Sequence, residues 1–476
     1  MPIRKIQLTD GKSTPIYDDR IPAIDEQPTI NSKNVVESDG IAKKFQEFAE
    51  KIESINQKVN ANFIEYQHKD LSLYDVHGHN ALSRNTANTY VVRNPGYYAI
   101  PLVYGNSIKD STVNRKSFTS NGATNSANFV NYLGNPIKSP YINVDTDKEI
   151  AGAKLIWQTS PKIITAVNIF KGVDCDYMSF TVNSIPDTNG DALLAITDDE
   201  GTIMWSWMIW AVADDIKEET ITNYGNIDYT LMSIPLGAIY ANDEKTRWVT
   251  PHFQFGRKDP MCPPADYKST NDMLLYNIEG LSCEEFGLLG KKDDESPEKT
   301  VMNAIRNPNK FFLEYDATSQ NWHDNIKYHN YWEANNTAIG AEDNLDTAVK
   351  TIYDPCPVGY IVPVGKCWTG FTEKGANTNA KDKWNVIETA FNDGYRFKRF
   401  EDDTEGWFIQ ACGYRSKDNG QLASVGTYGY YCTSSPSSST NSYHLYFRSS
   451  SINPLYSHSS RTNARSVLPA KEFSSN

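Results

Sequence analysis

Apolar residues keep a coiled-coil period at one place in this 476-residue chain, and after it they come mainly in short runs cut by Asn, Gly, Asp and Pro. A run of four to eight residues is long enough to cross a sheet and too short to bury a helix face, so such a chain folds mainly into strands. Runs of this kind are Thr89 to Val92, Tyr97 to Val103, Ala153 to Trp157, Phe180 to Val182 and Ala192 to Ile196. Many short strands without long helical periods predict a β-sandwich spacer over residues 71–224. Within it, Trp205, Trp207 and Ile209 alternate with Ser206, Met208 and Trp210, the pattern of a strand burying large rings on at least one face. A sugar platform is one use for such a row; buried core is the expected one.

The exception is the series Ile41, Phe45, Phe48, Ile52, Ile55 and Val59, spaced by alternating fours and threes on one helix seam. With Phe45 at an a position, Ile52 and Val59 are also a, and Ile41, Phe48 and Ile55 are d. Isoleucine in both classes favours three strands over two. A helix of this length spans roughly 30 Å and is marginal alone in water, so its seam needs a cover. Residues 41–63 are therefore expected to form an oligomerisation stem, with a homotrimer favoured over a dimer. The alternative is an amphipathic helix packed on its own domain. Charge does not choose the register, since Lys44, Lys51 and Lys58 fall at g while Ala42, Ala49 and Asn56 fall at e. Residues 1–40 hold four prolines and little apolar surface, which predicts a leader ordered only against a partner.

The formal net charge of -13 argues against nucleic acid as a partner, because binding phosphate needs a basic face. No apolar run approaches the ~18 residues of a membrane span, so membrane insertion is not expected. Met1 to Asp10 lacks the basic-then-apolar pattern of a secretory signal, which implies synthesis in the cytosol and carriage outside by something else. Seven cysteines without CxxC spacing point away from a disulfide scaffold or a zinc site.

Three resemblances add to this. Asn31 to Phe45, a polar spacer with Ser38-Asp39-Gly40 leading into the helix, resembles the N-terminal stems of bacteriophage fibre proteins, which implies a virion-anchoring leader followed by a trimeric coil. Asn88-Thr89-Tyr90-Val91-Val92, Pro101 to Asn106 and Gly201 to Trp207 look like β-sandwich modules from surface proteins of Bacteroidetes and of the crAss-like phages that infect them. Then Leu231-Met232-Ser233, Leu236-Gly237-Ala238, Phe253 to Pro260, Thr351 to Tyr360, Val362-Pro363 and Arg465-Ser466-Val467 stand in the order found in the Fibrobacter-type major paralogous domain. That family is similar to the C-type-lectin-like fold. It implies an α+β head over residues 227–470, typically a surface or fibre-tip module. Two departures are Ser233 to Pro235, in place of an acidic and basic pair, and Tyr360, where a tryptophan is common.

The candidate binding surface is the segment Thr433 to Asn463, crowded with Ser and holding Tyr443, His444, Tyr446, Arg448, Asn453, Tyr456, His458 and Arg461. Tyr supplies rigid amphipathic area, and Ser and Asn supply hydrogen bonds at small entropic cost. Leu445 and Phe447 alternate with His444, Tyr446 and Arg448, so one face can anchor in the core while the other points outward. From Asn419 to Lys471 there is no Asp or Glu, so this segment alone cannot build a calcium-dependent sugar site. Hydrogen bonds and ring stacking would hold a glycan here, with Arg448 and Arg461 favouring an acidic sugar. The content from Tyr428 to Asn463 also looks like the variable region of retroelement-diversified lectin-like domains.

No catalytic residue, cofactor or metal is expected. Asp75, His77 and His79 form a D-x-H-x-H pattern that fits either a metal site on a strand or a polar loop. Cys412 and Cys432 do not have the spacing of a catalytic pair, and Asp402-Asp403 and Glu218-Glu219 are expected to be solvated. The chain is thus read as a mainly β structural fibre protein of a virion, head or tail. Residues 1–40 would meet a capsid or tail protein, and the tip a host cell-surface glycan. The alternatives are a bacterial adhesin or fimbrial-tip subunit, and a glycan-depolymerising tailspike.

Overall fold

The computed structural model describes residues 8–9, 15–16, 44, 46–51, 68–123, 126–127, 129–283, 287–289, 300–314, 321–323, 328–341 and 347–472. The chain divides into two compact units, residues 1–59 and 60–476. In the first, Leu8–Thr9 pairs antiparallel with Pro15–Ile16, and residues 44 and 46–51 are helical. Phe48, one of the six seam residues, is 64% exposed. Ile41, Phe45, Ile52, Ile55 and Val59 lie outside the described residues.

The second unit is mainly β. Its first half is built from β1 (Thr89–Val92), β2 (Gly96–Pro101), β3 (Gly152–Gln158), β4 (Ile164–Lys171), β5 (Asp176–Val182), β6 (Gly190–Thr197) and β7 (Ile203–Ala211). β2, β5 and β4 form one sheet, with Lys69–Asp70 at the β2 edge. The other sheet runs Ser282–Cys283, Leu275–Tyr276, β3, β6, β7, β1, and its β7–β1 pair is parallel. Ile100, Met178 and Phe180 from one sheet meet Leu194, Trp205 and Trp207 from the other in a shared core. The expected row of rings on β7 is therefore interior, with Trp205 and Trp207 almost fully buried.

β6 and β7 are joined by a turn that the sequence encodes locally. The Asp198 carboxylate accepts from the Glu200 and Thr202 amides at 3.1 and 2.8 Å, and Gly201 takes the left-handed conformation at φ +79°. Both strands are buried along their whole length, because their second faces are covered too. Met208 and Trp210 point into a second core shared with Leu231, Trp368, Tyr431 and Phe447. Leu193 and Ala195 pack with Trp157, Cys262 and Leu275.

A sheet covered on both sides leaves no clean boundary where one was expected, near residues 224–227. Leu275–Tyr276 extends the six-stranded sheet, and Ile305, Tyr331, Ile352 and Tyr353 join the sandwich core. The Phe253 to Pro260 segment ties the halves together. Lys258 and Asp259 are buried and 2.5 Å apart, and the Ser206 hydroxyl of β7 donates to Asp259 at 2.6 Å. Arg257 donates to the Gln254 side chain at 2.9 Å and to the Lys310 carbonyl at 2.8 Å.

The second half adds β8 (Glu218–Thr222) and β9 (Asp228–Met232), continued by Ala470–Lys471 and Tyr360–Ile361. β10 (Gly394–Phe397) pairs with β11 (Trp407–Gln410), and β12 (Tyr428–Pro436), β13 (Ser442–Arg448) and β14 (Ser451–Tyr456) form an antiparallel sheet. A short helix spans Val301–Arg306, and Thr300 caps it by accepting from the Asn303 amide. In the Asp354-Pro355-Cys356-Pro357 turn, the Asp354 carboxylate accepts from the Cys356 and Val362 amides at 2.7 and 2.9 Å.

Of the acidic residues expected to be solvated, Asp402 is exposed, Glu218 and Glu219 are half-buried, and Asp403 is not solvated. Asp403 is buried and clamped by Arg399, whose Nε and Nη2 donate at 2.7 and 3.0 Å. Glu219 accepts from Arg399 at 3.0 Å, and Glu218 accepts from Lys471 at 3.0 Å and from the Tyr360 hydroxyl. Three structural carboxylates meeting two cations explain why adjacency in sequence misled.

Candidate binding face

The sheet β12–β13–β14 is amphipathic by strand parity. Tyr431, Leu445, Phe447 and Ile452 point inward and are fully buried. Gly429 stands opposite Phe447 in the β12–β13 ladder, and the Phe447 ring lies where a side chain at 429 would be. Only glycine leaves that space open, so the ring packs flat beneath the sheet.

The alternate positions carry tyrosines. Tyr430 faces Tyr446 across the strands with ring centroids 4.8 Å apart. Tyr446 continues to Tyr456 at 5.0 Å and Tyr430 to Tyr414 at 5.1 Å, while Tyr428 closes on Tyr446 at 5.7 Å. Tyr456 meets His458 at 6.1 Å. Tyr414, Tyr428, Tyr430 and Tyr456 are half-buried, His458 is exposed, and Tyr446 in the centre is 7% exposed. The hydroxyls of Tyr414, Tyr430 and Tyr456 make no hydrogen bond to another described residue. Contiguous rings with unmatched hydroxyls suit stacking against a sugar ring with hydrogen bonds at its edge.

Two arginines set the charge of this face. The Arg448 guanidinium sits 5.7 Å from the Tyr428 ring centroid and donates to the Tyr428 hydroxyl at 3.4 Å; its Nε has no partner among the described residues. Arg465 is fully buried 5.9 Å from the Tyr430 ring centroid and donates to the Ser460 and Asn463 carbonyls at 2.9 and 3.4 Å and to the Ser459 hydroxyl.

The structure brings together Tyr446, Arg448, Tyr456 and His458 from the expected set. Asn453 stands opposite Tyr446 and is 9% exposed. His444 and Arg461 are corrections, because both are interior. His444 is fully buried; burial first, then Arg465, holds its imidazole well below the ordinary histidine range, and its Nδ1 donates to the Ser442 carbonyl at 3.2 Å. Arg461 ties loops together: it donates to the carbonyls of Asn441, Tyr328 and Ser438 at 3.2, 3.1 and 2.6 Å and to His329 Nδ1 at 2.9 Å. Burial brings its pKa down to about 9. Tyr443 is half-buried on the parity of Leu445 and Phe447, so it lies on the other side of the sheet.

Sequence reasoning missed Tyr414, Tyr428, Tyr430 and Arg465 as site residues. The signal for two of them was present: Tyr428-Gly429-Tyr430 repeats the outward parity of Tyr446 and Arg448, with glycine at the inward position.

The other chemistry-bearing residues fall into structural roles. Asp75, His77 and His79 form a turn in which Asp75 Oδ1 accepts from the His77 and His79 amides at 3.0 and 2.8 Å. None of the seven cysteines is in a disulfide among the described residues. Cys412 and Cys432 are buried in different surroundings, Cys412 beside the Tyr431 hydroxyl at 3.2 Å, and burial pushes their thiols up to about 11 and 12. No family model, curated protein or solved structure matches the chain.

Proposed function

We propose that this chain is a structural fibre protein of a phage virion whose lectin-like C-terminal half presents the β12–β13–β14 face to a host-surface glycan. The observation that supports binding is the tyrosine face itself: rings in unbroken contact from Tyr414 to Tyr456, one side of the sheet anchored in the core, and three hydroxyls without partners among the described residues. The fibre setting draws on the heptad seam and on the resemblance of residues 31–45 to fibre stems, with 1–40 as the leader held on the particle. A stem that joins three copies would multiply one weak site into a firm grip on a repetitive glycan.

Binding of the full chain to a glycan array tests the face. Tyr456→Ala and Tyr430→Ala each remove one ring from the ladder and are expected to lower the signal at least tenfold. Retained binding in both variants would place the site elsewhere and sink this reading.

A further inference from the structure

Some buried cations in this unit have an anion beside them, and others, such as Lys350, are held by backbone carbonyls. Lys258 and Arg257 have Asp259, and Arg415 has Asp272. Arg461 has no carboxylate, yet four acceptors surround it. Arg465, also without a carboxylate, has three acceptors where Arg461 has four. It is fully buried, forms no ion pair among the described residues, bonds only to neutral oxygens, and leaves its Nε without a partner. Arginine keeps its proton in a protein, so an uncompensated positive charge sits beneath the tyrosine face.

The groups above it are those an oxyanion would need. Tyr414, Tyr430 and Tyr456 all lie within electrostatic reach of Arg465, and their hydroxyls are unmatched donors among the described residues. Arg448, half-buried at the side of the same face, also forms no ion pair among the described residues. No acidic residue occurs between Asn419 and Lys471 to compete. A charge-assisted bond from such donors is shorter and stronger than a neutral one.

We propose that the face selects a saccharide bearing an oxyanion, a carboxylate or a sulfate, held by the Tyr430 and Tyr456 hydroxyls and Arg448 over the field of Arg465. This rests on the reading of the face as a glycan-binding surface. Arg465 acts as a positioning charge, and the tyrosines and Arg448 make the contacts.

The test compares dextran, carboxymethyl-dextran and dextran sulfate of matched length, titrated calorimetrically into the full chain at 50 and 500 mM NaCl. At least one charged polymer is expected to bind tenfold or more tightly than dextran, and the two charged arms tell carboxylate from sulfate. Salt should shrink that advantage several-fold, since half-exposed charges are screened at this ionic strength. The Tyr430→Phe/Tyr456→Phe double variant keeps both rings, and Arg448→Gln keeps most of the side chain. Each should narrow the charged-over-neutral ratio at least fivefold. Equal affinity for all three polymers, with loss in Tyr456→Ala, would overturn the charge selection while leaving a glycan face. Charged binding unaltered in both variants would overturn it by moving the site. No binding of any polymer would overturn it together with the reading on which it rests.

Discussion

Gly429 is where the fold and the face depend on one another most directly. The Phe447 ring occupies the space a side chain at 429 would take, and it has little room to retreat. Phe397, Tyr395 and Tyr431 hold it with ring centroids 5.2, 6.1 and 6.4 Å away. Inserting one methyl into a packed core costs about 1–3 kcal/mol, and a ring hemmed on three sides puts Gly429→Ala in the upper half of that range. Phe447→Leu alone loses ring contacts and leaves a small cavity, at about 1–2 kcal/mol. In the double variant the smaller side chain makes room for the methyl. The pair should then couple by at least ~1 kcal/mol, so that the double variant is less destabilised than the sum of the singles. Equilibrium urea unfolding followed by tryptophan fluorescence measures all three. A Gly429→Ala change within about 0.5 kcal/mol of the parent, or strict additivity, would refute the packing argument. Because Tyr428 and Tyr430 flank Gly429, the same substitution should also weaken binding at the face.

Asp403 is held well below the ordinary carboxylate range, chiefly by hydrogen bonds from Arg399 and further by its backbone donors. A depressed folded pKa gives stability that is present above the unfolded value near ~3.9 and is lost as pH falls through the folded one. Asp403→Asn should therefore cost about 3 kcal/mol at pH 7 and flatten the fall in unfolding midpoint between about pH 5 and pH 2; an unchanged slope would remove Asp403 from the acid limb. Asp259→Ala leaves Lys258 and Arg257 buried without their anion and should cost about 3–5 kcal/mol in the same unfolding assay, against which a loss under ~1 kcal/mol would count. For the stem, light scattering on the full chain should give a trimer mass, and Phe48→Asp should reduce it to that of a monomer. A monomer before substitution would end the stem proposal.

Strand rhythm was readable because each strand carries its own evidence. β7 announces itself by seven large apolar residues among its nine, broken only by Ser206 before Ala211, and the Asp198 turn by the residues that close it. The inward parity of Leu445 and Phe447 was readable for the same reason. The domain boundary was not, because it depends on what covers the second face of β6 and β7, and that cover arrives from residues far along the chain. Neither were the pairings of Asp403 and Glu218, whose environments are set by Arg399, Lys471 and Tyr360 after folding.

The site shows the same division at closer range. Composition singled out a stretch rich in Tyr, Ser and Asn, and parity separated its two faces, yet neither states depth. His444 and Tyr446 share a parity, but His444 lies under Tyr430 and Tyr456 at 5.5 and 5.2 Å and is sealed, while its neighbours reach solvent. Arg461 and Arg465 are equally buried and four residues apart, and what distinguishes them is whether acceptors fill their surroundings. Around Arg461 the loop carbonyls and His329 do so. Around Arg465 the Nε–H finds no acceptor among the described residues, near tyrosines whose hydroxyls have none there either. The sequence alone pointed to Arg448 and Arg461 as the cations that favour an acidic sugar, and Arg461 is interior. On the proposed reading, part of the selectivity would come from a charge the ligand never touches, and substitutions of the tyrosine hydroxyls test that better than removal of Arg465, a change that disturbs the core as well.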